Sequence, residues 1–242
     1  SRYAAVHGLD PDALGRIAVT QRAHAMLNDN ACDKLRTPLT LADYRASRMI
    51  ADPLRLLDCV MLCDGGNALL VTTPEHAARL GLRKTVTPIA YAEITNPQPR
   101  EPLPDVTHTG FAMIAPRLFG ASDLRPSDLD MVQLYDDFTI AVLMQLEAFG
   151  FCARGAGSRF VRDTDLSHRG VLPLNTGGGQ LSAGQPGLAG GGVNLIEAVR
   201  QLFGEGGARQ VASPRTALVT GIGVIPYARH WSTSAAMILE AP

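Results

Sequence analysis

The stretch 172–192 constrains the fold more than any other part of this chain. Eight of its 21 residues are glycine, yet it has neither the repeats nor the charge of a disordered linker. A strand-like segment, 171–175, opens it, and an apolar helical pattern, 193–203, follows it. Because glycine tolerates positive φ angles and close approach by other groups, the stretch predicts loops that line a ligand site. The alternative is close helix packing through the small residues Gly187, Gly190 and Gly191.

Helical and strand-like patterns alternate along the rest of the sequence. Asp10 followed by Pro11 is typical of a helix start, because Asp caps the first turn and Pro fits its first position. Periodicity predicts helices over 12–27, 41–51, 75–80, 111–118 and 138–149, strands over 54–62, 68–72, 85–95, 131–134, 216–225 and 233–239, and loops over 97–104, 155–170 and 226–232. We expect the last four strands to form one mixed sheet with helices on both faces, which is an α/β fold.

Composition narrows the class of protein. Apolar residues make up 46% of the chain, and no run approaches the roughly 18 apolar residues of a membrane span. The net charge of −1 argues against nucleic-acid binding, which needs clustered cations. Cys59 and Cys63 lack the second pair of ligands that a zinc site requires. We therefore interpret them as buried thiols and predict no metal site and a reducing, cytoplasmic location.

Three motifs, in the same order as in the family, resemble the thiolase superfamily. The first is similar to the thiolase run Asn-x-x-Gly-Gly, followed by Gly-His-Pro and a helix ending in Glu-x-x-x-Gln-Leu. Its counterparts here are Asn175, Gly178, Gly179, Gly184-Gln185-Pro186 and 197–202. The second, 126–138, is similar to the segment ending in Asn-Glu-Ala-Phe in thiolases and His-Asp-Cys-Phe in the sterol-carrier-protein type. The third, 52–59 with 64–68, is similar to the superfamily's Pro-Leu…Asp…Asp-Gly-Ala-Ala stretch.

The resemblance implies a layered αβαβα fold that is built from two similar halves. On that basis, 1–84 would be the tail of the N-terminal half, including its helical loop region, and 85–242 would be the C-terminal half. The nucleophilic Cys of the family comes from the first half, so it would lie upstream of Ser1. The chain is therefore expected to be incomplete. Thiolase-like subunits also pair through an edge strand of the first half, so oligomers or a bound partner are expected.

The chain departs from a true thiolase at the groups that perform thiolysis. The His of Gly-His-Pro is replaced by Gln185, which cannot take up a proton near neutral pH. The turn 219–223 has no second Cys, and the Asn of Asn-Glu-Ala-Phe has become Tyr135. A related branch, the lipid-transfer-protein type aldolases, carries Tyr-Asp-x-Phe, which matches 135–138. That branch cleaves 3-hydroxyacyl thioesters by a retro-aldol reaction, and its second catalytic Tyr, near position 185, is missing here.

The resemblance and the chemistry together suggest roles for individual residues. Retro-aldol cleavage needs a base for the hydroxyl proton and stabilisation of the enolate that forms. Tyr135 would stabilise the enolate or transfer the proton, Gln185 would donate a hydrogen bond, and Asp136 would orient Tyr135 or its loop; the alternative is that Asp136 or Asp137 merely caps a helix. Tyr227 and His230 would supply a second acid or base. Substrate contacts are expected at Asn175, Gly178, Gly179, Gly184 and Gly221, and the other histidines are interpreted as structural or solvated.

Three functions follow from these residues. The first is an acyl-CoA carbon–carbon lyase that uses a coenzyme A thioester as substrate and binds no cofactor covalently, with a steroid or other lipid side chain as one option. The second is a non-catalytic subunit of a hetero-complex, for which the resemblance suggests a small zinc-ribbon/OB-fold protein as partner. The third is an acetyl-CoA acyltransferase that uses the upstream Cys. Nothing in the sequence identifies the acyl chain.

Overall fold

The computed structural model describes residues 1–95, 105–223 and 233–241. The helices are α1 (Arg2–His7), α2 (Pro11–Met26), α3 (Leu41–Ala46), α4 (Pro74–Arg79), α5 (Gly110–Ser122), α6 (Thr139–Ala148), α7 (Gly157–Asp163), α8 (Gly179–Ala183) and α9 (Gly190–Leu202). The strands are β1 (Met49–Ala51), β2 (Leu54–Arg55), β3 (Thr87–Thr95), β4 (Met131–Gln133), β5 (Thr216–Ile222) and β6 (Thr233–Glu240). The predicted loops 97–104 and 226–232 lie outside the described residues. The described residues contain no helix that is long and apolar enough to cross a membrane.

The central sheet contains the four strands that the sequence predicted for it. Their order is β3-β6-β5-β4, with β3–β6 and β6–β5 antiparallel and β5–β4 parallel. Leu218 of β5 lies opposite Ile238 of β6 and Val132 of β4, which fixes the register at the centre of the sheet. The expectation of one mixed sheet is confirmed.

Alternate residues of β5 enter two different apolar clusters. Leu218 packs in the larger cluster, together with residues of α2, α5 and α6. Ala217 and Val219 pack in the smaller cluster with Ala198 and Leu202 of α9. Because successive side chains of a strand point to opposite faces, α5 and α6 cover one face of the sheet and α9 covers the other. The expectation of helices on both faces is confirmed.

Helix α2 begins as the sequence predicted. The Asp10 carboxylate accepts a hydrogen bond from the Asp12 N–H at 3.0 Å, and Pro11 occupies the first position of the helix. Leu14 and Ile17 are buried on the inner face of the helix, in the larger cluster. Helix α2 also contacts α7 and α8. Because α8 belongs to the glycine-rich stretch 172–192, α2 packs directly against that stretch.

Three elements predicted between residues 41 and 72 differ in the structure: one helix is shorter, and two strands are largely or wholly absent. The helix predicted over 41–51 ends at Ala46, because Ser47 turns extended and its carbonyl accepts a hydrogen bond from Arg55 at 2.8 Å. The strand predicted over 54–62 is only β2 followed by a 3₁₀ turn. The buried Asp58 carboxylate causes that turn by accepting from the Arg55 N–H at 2.7 Å and the Thr139 hydroxyl at 2.6 Å. The segment predicted as a strand over 68–72 has no regular structure.

Two more predictions fail beyond the sheet. The loop predicted over 155–170 contains α7, because Val161 is buried in the larger cluster and the Gly157 N–H donates to Glu147 at 2.8 Å. Tertiary packing there overrides the local signal of the glycines. The strand predicted over 171–175 is a single parallel bridge between Leu174 and Val132, at the edge of β4.

Candidate active site

Tyr135 lies just beyond the carboxyl end of β4, where ligand sites of α/β sheets are usually found. Its backbone N–H donates to the Thr220 hydroxyl at 2.8 Å, and its carbonyl accepts from the Gln145 side chain at 2.7 Å. The Thr220 hydroxyl in turn donates to Gln145 at 2.6 Å. Strand β5 and helix α6 therefore fix the position of Tyr135 from both sides, although neither residue was noticed in the sequence.

Asp136 is completely buried and both of its carboxylate oxygens are engaged. One oxygen accepts from the Gln180 N–H at 3.0 Å and from Asn194 at 3.1 Å, and the other accepts from the Leu181 N–H at 3.1 Å. Burial raises the pKa of this carboxyl to about 6, although these hydrogen bonds oppose the shift. Asp136 thus holds the first turn of α8 in place. The geometry fits an orienting role and leaves no free carboxylate oxygen for direct contact with a substrate.

Asn175 holds the residue that precedes Tyr135. It is fully buried with φ of 46°, and its side-chain oxygen accepts from the Leu134 N–H at 2.7 Å while its amide donates to the Leu134 carbonyl at 2.9 Å. These two bonds replace those that a neighbouring strand would supply. The Asn175 side chain therefore has a structural role, and a substrate contact at this residue stays a prediction.

Several glycines of the glycine-rich stretch 172–192 allow close packing by neighbouring groups. A side chain on Gly178 would come within 2.7 Å of Ala25 in α2, one on Gly184 within 2.5 Å of the Cys63 sulfur, and one on Gly179 would collide with the Asp136 carboxylate. All three glycines have positive φ. Their surroundings show a packing role, and contact of these glycines with a substrate stays a prediction.

The sequence offers close helix packing as the alternative role for three other glycines, Gly187, Gly190 and Gly191. Around Gly187 and Gly191, the described part of the chain leaves open space within 4 Å. Gly190 alone is confined, since a Cβ there would collide with the Gln180 amide oxygen and lie 3.3 Å from the Gln185 amide nitrogen. Gly190 therefore marks the point where the amides of Gln180 and Gln185 converge.

The Tyr135 phenol lies beside the Gln180 amide. Burial, followed by the negative charge of Asp137, raises the pKa of Tyr135, and an interaction with the Gln180 side chain opposes the shift. That interaction does not complete a hydrogen bond of normal geometry. Both polar atoms of the fully buried Gln180 side chain lack a partner among the described residues. At neutral pH, Tyr135 is therefore a protonated donor next to an amide with unused hydrogen-bonding capacity.

Gln185 is held by the N-terminal region of the chain. Its N–H donates to the Met61 carbonyl at 3.0 Å, its carbonyl accepts from the Cys63 N–H at 3.2 Å, and its side-chain oxygen accepts from the Gly187 N–H at 3.2 Å. The side-chain oxygen is thus engaged, and the side-chain nitrogen points toward Gly190. This orientation allows the hydrogen-bond donor role that the sequence suggested.

Asp137 adds a carboxylate that the sequence analysis did not assign to the site. One of its oxygens is buried and has no hydrogen-bond partner within the described ranges. Burial raises the pKa of the Asp137 carboxyl to about 6. Its charge also contributes to the raised pKa values of Tyr135 and Cys59, so the carboxylate lies within electrostatic range of both.

His24 is a structural histidine, in agreement with its interpretation from the sequence. Its Nε2 accepts from the His168 N–H at 2.9 Å, so its Nδ1 carries the proton and donates to the Asn175 carbonyl at 3.2 Å. Burial lowers the pKa of His24 to about 4. The ring is therefore neutral and fully engaged near neutral pH.

Gly221 lies at the same end of the sheet as Tyr135, because β5 runs parallel to β4 and the preceding residue, Thr220, accepts from the Tyr135 N–H. Gly221, near the end of β5, is partly buried, and a Cβ there would meet nothing within 4 Å among the described residues. Tyr227 and His230 lie outside the described residues. No group of three or more His, Cys, Asp or Glu side chains in the described part could hold a metal ion.

Comparison with known proteins places the sheet and this site in one family. The profile of the family described as "Thiolase C-terminal domain-like" matches residues 93–241. The chain belongs to the thiolase superfamily. The solved structure of the Ltp2-ChsH2(DUF35) aldolase aligns with a TM-score of 0.84 and 35% identity, over 99% of this chain and 61% of that chain. The thiolase-like fold and the resemblance seen in the sequence are thereby confirmed.

Two curated relatives are also similar to this chain. The steroid side-chain-cleaving aldolase of Thermomonospora curvata is 38% identical over 195 residues, which cover 74% of this chain and 47% of the relative. The 17-hydroxy-3-oxo-4-pregnene-20-carboxyl-CoA lyase of Mycobacterium tuberculosis is 36% identical over 237 residues, which cover 92% and 58%. This thiolase-like chain thus spans about half the length of the curated relatives it matches.

Proposed function

We propose that the full-length protein containing this chain is an acyl-CoA carbon–carbon lyase that cleaves a 3-hydroxyacyl-CoA by a retro-aldol reaction. The observation that carries the proposal is Tyr135, a protonated phenol whose backbone is held at the carboxyl end of β4 by Thr220 and Gln145. A hydrogen-bond donor fixed in advance at such a position can stabilise negative charge as it develops. The aldolase and lyase chemistry in the names of two relatives points the same way.

The proposed role of the donors follows from the reaction. Cleavage of the bond between C2 and C3 leaves its electron pair on C2, where the thioester carbonyl delocalises it onto oxygen as an enolate. Tyr135 and the Gln185 amide nitrogen are the donors that we assign to that oxygen. Removing one such donor typically slows a reaction by 100- to 1,000-fold, or about 3–4 kcal/mol of transition-state free energy. Thiolysis fits this chain less well, because Gln185 cannot act as a base.

The substrate that we propose is a coenzyme A thioester with a branched or cyclic acyl group, of which a steroid side chain is one example. The support is the carboxyl-CoA substrate and the steroid side chain in the names of the two relatives. We infer that no covalently bound cofactor takes part, because an amide and phenol site needs none for retro-aldol chemistry. A cytoplasmic location, where coenzyme A thioesters are abundant, completes this proposal.

We also infer that the protein works in an oligomer or hetero-complex. Leu62, Leu70 and Val71 expose between 74 and 82% of their surface along one segment, and clustered exposed apolar side chains favour association. A small zinc-ribbon/OB-fold protein is the partner that we propose. The paired name of the similar Ltp2-ChsH2(DUF35) aldolase supports a hetero-complex. A purified full-length protein that stays monomeric and fully active with no added protein would contradict this inference.

The lyase proposal is tested with the full-length protein, alone and with its candidate partner, on a series of 3-hydroxyacyl-CoA substrates. Mass spectrometry should detect the aldehyde or ketone together with the shortened acyl-CoA. Tyr135→Phe should lower kcat at least about 100-fold because the enolate loses a donor. Tyr91→Phe, which removes an exposed hydroxyl from β3, is the matched control and should leave kcat unchanged.

The same assay separates the other functions. Products that form only when free coenzyme A is added, together with inactivation by a thiol-alkylating reagent, would favour the acyltransferase. Binding of acyl-CoA without any product, with or without the partner, would favour a non-catalytic subunit. Wild-type rates in Tyr135→Phe would overturn the role that we assign to this phenol.

A further inference from the structure

Retro-aldol cleavage requires a proton acceptor in addition to a donor for the enolate. If the protein is the lyase proposed above, one of the groups near the substrate must accept this proton, and Tyr135 is the first candidate. Burial and the nearby Asp137 charge raise the pKa of Tyr135, so the phenol keeps its proton at neutral pH. A group in that state donates a hydrogen bond and is a poor base. The proton of the substrate hydroxyl must therefore go elsewhere.

Most neighbouring groups in the described ranges cannot accept it. Amides such as Gln180 and Gln185 do not ionise. Both Asp136 oxygens already accept hydrogen bonds from α8 or α9, and the residue is fully buried. Cys59 stays a thiol at neutral pH, because burial and the charges of Asp58 and Asp137 raise its pKa.

Asp137 differs from these groups in geometry. It follows Tyr135 by two residues, at the bend that leads into α6. Its carbonyl accepts from the Val60 N–H at 3.2 Å, so Asp137 packs beside the segment that contains Cys59. The carboxylate of Asp136, in contrast, is engaged by α8 and α9. Asp137 is partly exposed, and one of its carboxylate oxygens is buried with no hydrogen-bond partner in the described part of the chain.

We propose that Asp137 is a catalytic residue, the base that removes the proton of the substrate's 3-hydroxyl group. Its carboxylate takes the proton, the O–H electron pair forms the C3=O double bond, and the C2–C3 bond breaks. The electron pair of that bond moves to C2 and the thioester oxygen, where Tyr135 donates a hydrogen bond. The Asp137 carboxylic acid then returns its proton to C2. The products are an aldehyde or ketone and a shortened acyl-CoA, and the carboxylate is regenerated.

The charges around Asp137 suit this role. The titratable groups near it are Tyr135 and Asp136 on its own segment and Asp58 and Cys59 on the segment beside it. Tyr135 and Cys59 remain neutral near pH 7, so the other carboxyl groups around Asp137 are those of Asp136 and Asp58. Burial raises the pKa of Asp137 to about 6, which makes its carboxylate a stronger base than an exposed Asp while leaving it mostly ionised at pH 7.

The experiment compares full-length wild type with Asp137→Asn, Asp137→Glu and a control, Asp33→Asn, whose side chain is 97% exposed. Rates of 3-hydroxyacyl-CoA cleavage are measured from about pH 5 to about pH 9. Wild-type kcat/KM should rise with pH and level off above about 6, since the base must be ionised. Asp137→Asn should lower kcat by about 100-fold or more and abolish this rise. Asp137→Glu should keep the rise with a reduced kcat, and the control should match wild type.

Two results would overturn the proposal. The first is an Asp137→Asn variant that unfolds at the same temperature as wild type, has a kcat within about threefold of the wild-type value, and keeps the wild-type pH dependence. Loss of a general base lowers the rate by far more than about threefold. The other uses carbon-13 NMR of labelled Asp carboxyls, which needs no turnover. A titration near 6 that is lost in Asp137→Asn is expected, and an ordinary value near 4 for this carboxyl contradicts the proposal. Absence of cleavage by the wild type would instead reject the lyase function, and the NMR result would still decide the state of Asp137.

Discussion

The segment 134–138, which leads from β4 into α6, carries two adjacent carboxylates whose surroundings differ in how polar groups are paired. On the paired side, Asp136 and Asn175 have engaged oxygens, and both residues are buried against α8 and β4. On the side of the Tyr135 phenol, Asp137 and the side chain of Gln180 each have a buried polar atom without a partner in the described residues. Unpaired buried polar groups cost free energy and are rare in proteins. Asn194, which donates to Asp136, also keeps one oxygen unpaired within the described ranges. We expect the unpaired atoms of Asp137 and Gln180, which lie near Tyr135, to interact with a ligand, while Asp136 and Asn175 maintain the geometry.

Gly179 offers the largest expected effect on the paired side. Gly179→Ala would place a methyl group against the Asp136 carboxylate at a φ of 59°. We expect a loss of about 3–4 kcal/mol in the free energy of unfolding, from the collision and the strained backbone together. Urea unfolding followed by circular dichroism measures it.

Gly191→Ala is the matched control for that measurement. Gly191 lies in α9, in ordinary helical conformation and with open space around it among the described residues. Replacing a helical Gly by Ala there should stabilise by roughly 0.5–1 kcal/mol. Equal losses in the two variants would show that the packing against Asp136 has no special importance.

His24 offers a pH-dependent effect of intermediate size. Its pKa is lowered to about 4 in the folded protein, below the ordinary value of 6.5, so the unfolded chain binds the proton more readily between these values. The contribution of neutral His24 to stability is therefore present above pH 6.5 and is lost as the pH falls toward 4. A shift of this size corresponds to about 3 kcal/mol.

The measurement is the difference in unfolding free energy between wild type and His24→Gln across that pH range. The difference should shrink as the pH falls, because Gln does not titrate. Using the difference removes the opposite trend of Asp136, whose raised pKa favours the folded state at low pH. A difference that stays constant with pH would contradict the structural role of His24.

The sequence predicted the parts of the fold that depend on local pattern. The strands β3, β5 and β6 have strong apolar alternation, and the Asp10 cap and Pro11 mark the start of α2. The helix α7 and the turn at Asp58 could not be predicted, because each is stabilised by contacts with residues ten or more positions away, such as Glu147 and Thr139.

The candidate site was predictable only in part. Tyr135, Asp136 and Gln185 stand in recognisable motifs, but sequence spacing alone did not show which of them is buried and paired. The sequence does not identify Gln180 as a site residue, because it directly follows three glycines and belongs to no motif of its own. Asp137 had one available signal, its position two residues after Tyr135, just beyond a predicted strand where ligand sites collect. The packing role of the glycines depends on Ala25, a residue distant in sequence, and so was hidden.

The most direct test of the difference between the two sides is the same substitution at two adjacent positions. Asp136→Asn replaces an oxygen that accepts an N–H bond by an NH₂ group and should lower the free energy of unfolding by about 2–3 kcal/mol. Asp137→Asn removes a buried carboxylate with an unpaired oxygen, so it should change that free energy by less than about 0.5 kcal/mol or raise it. Both values come from urea unfolding at neutral pH. Equal losses, or a larger loss at Asp137, would contradict the account of one structural side and one chemical side.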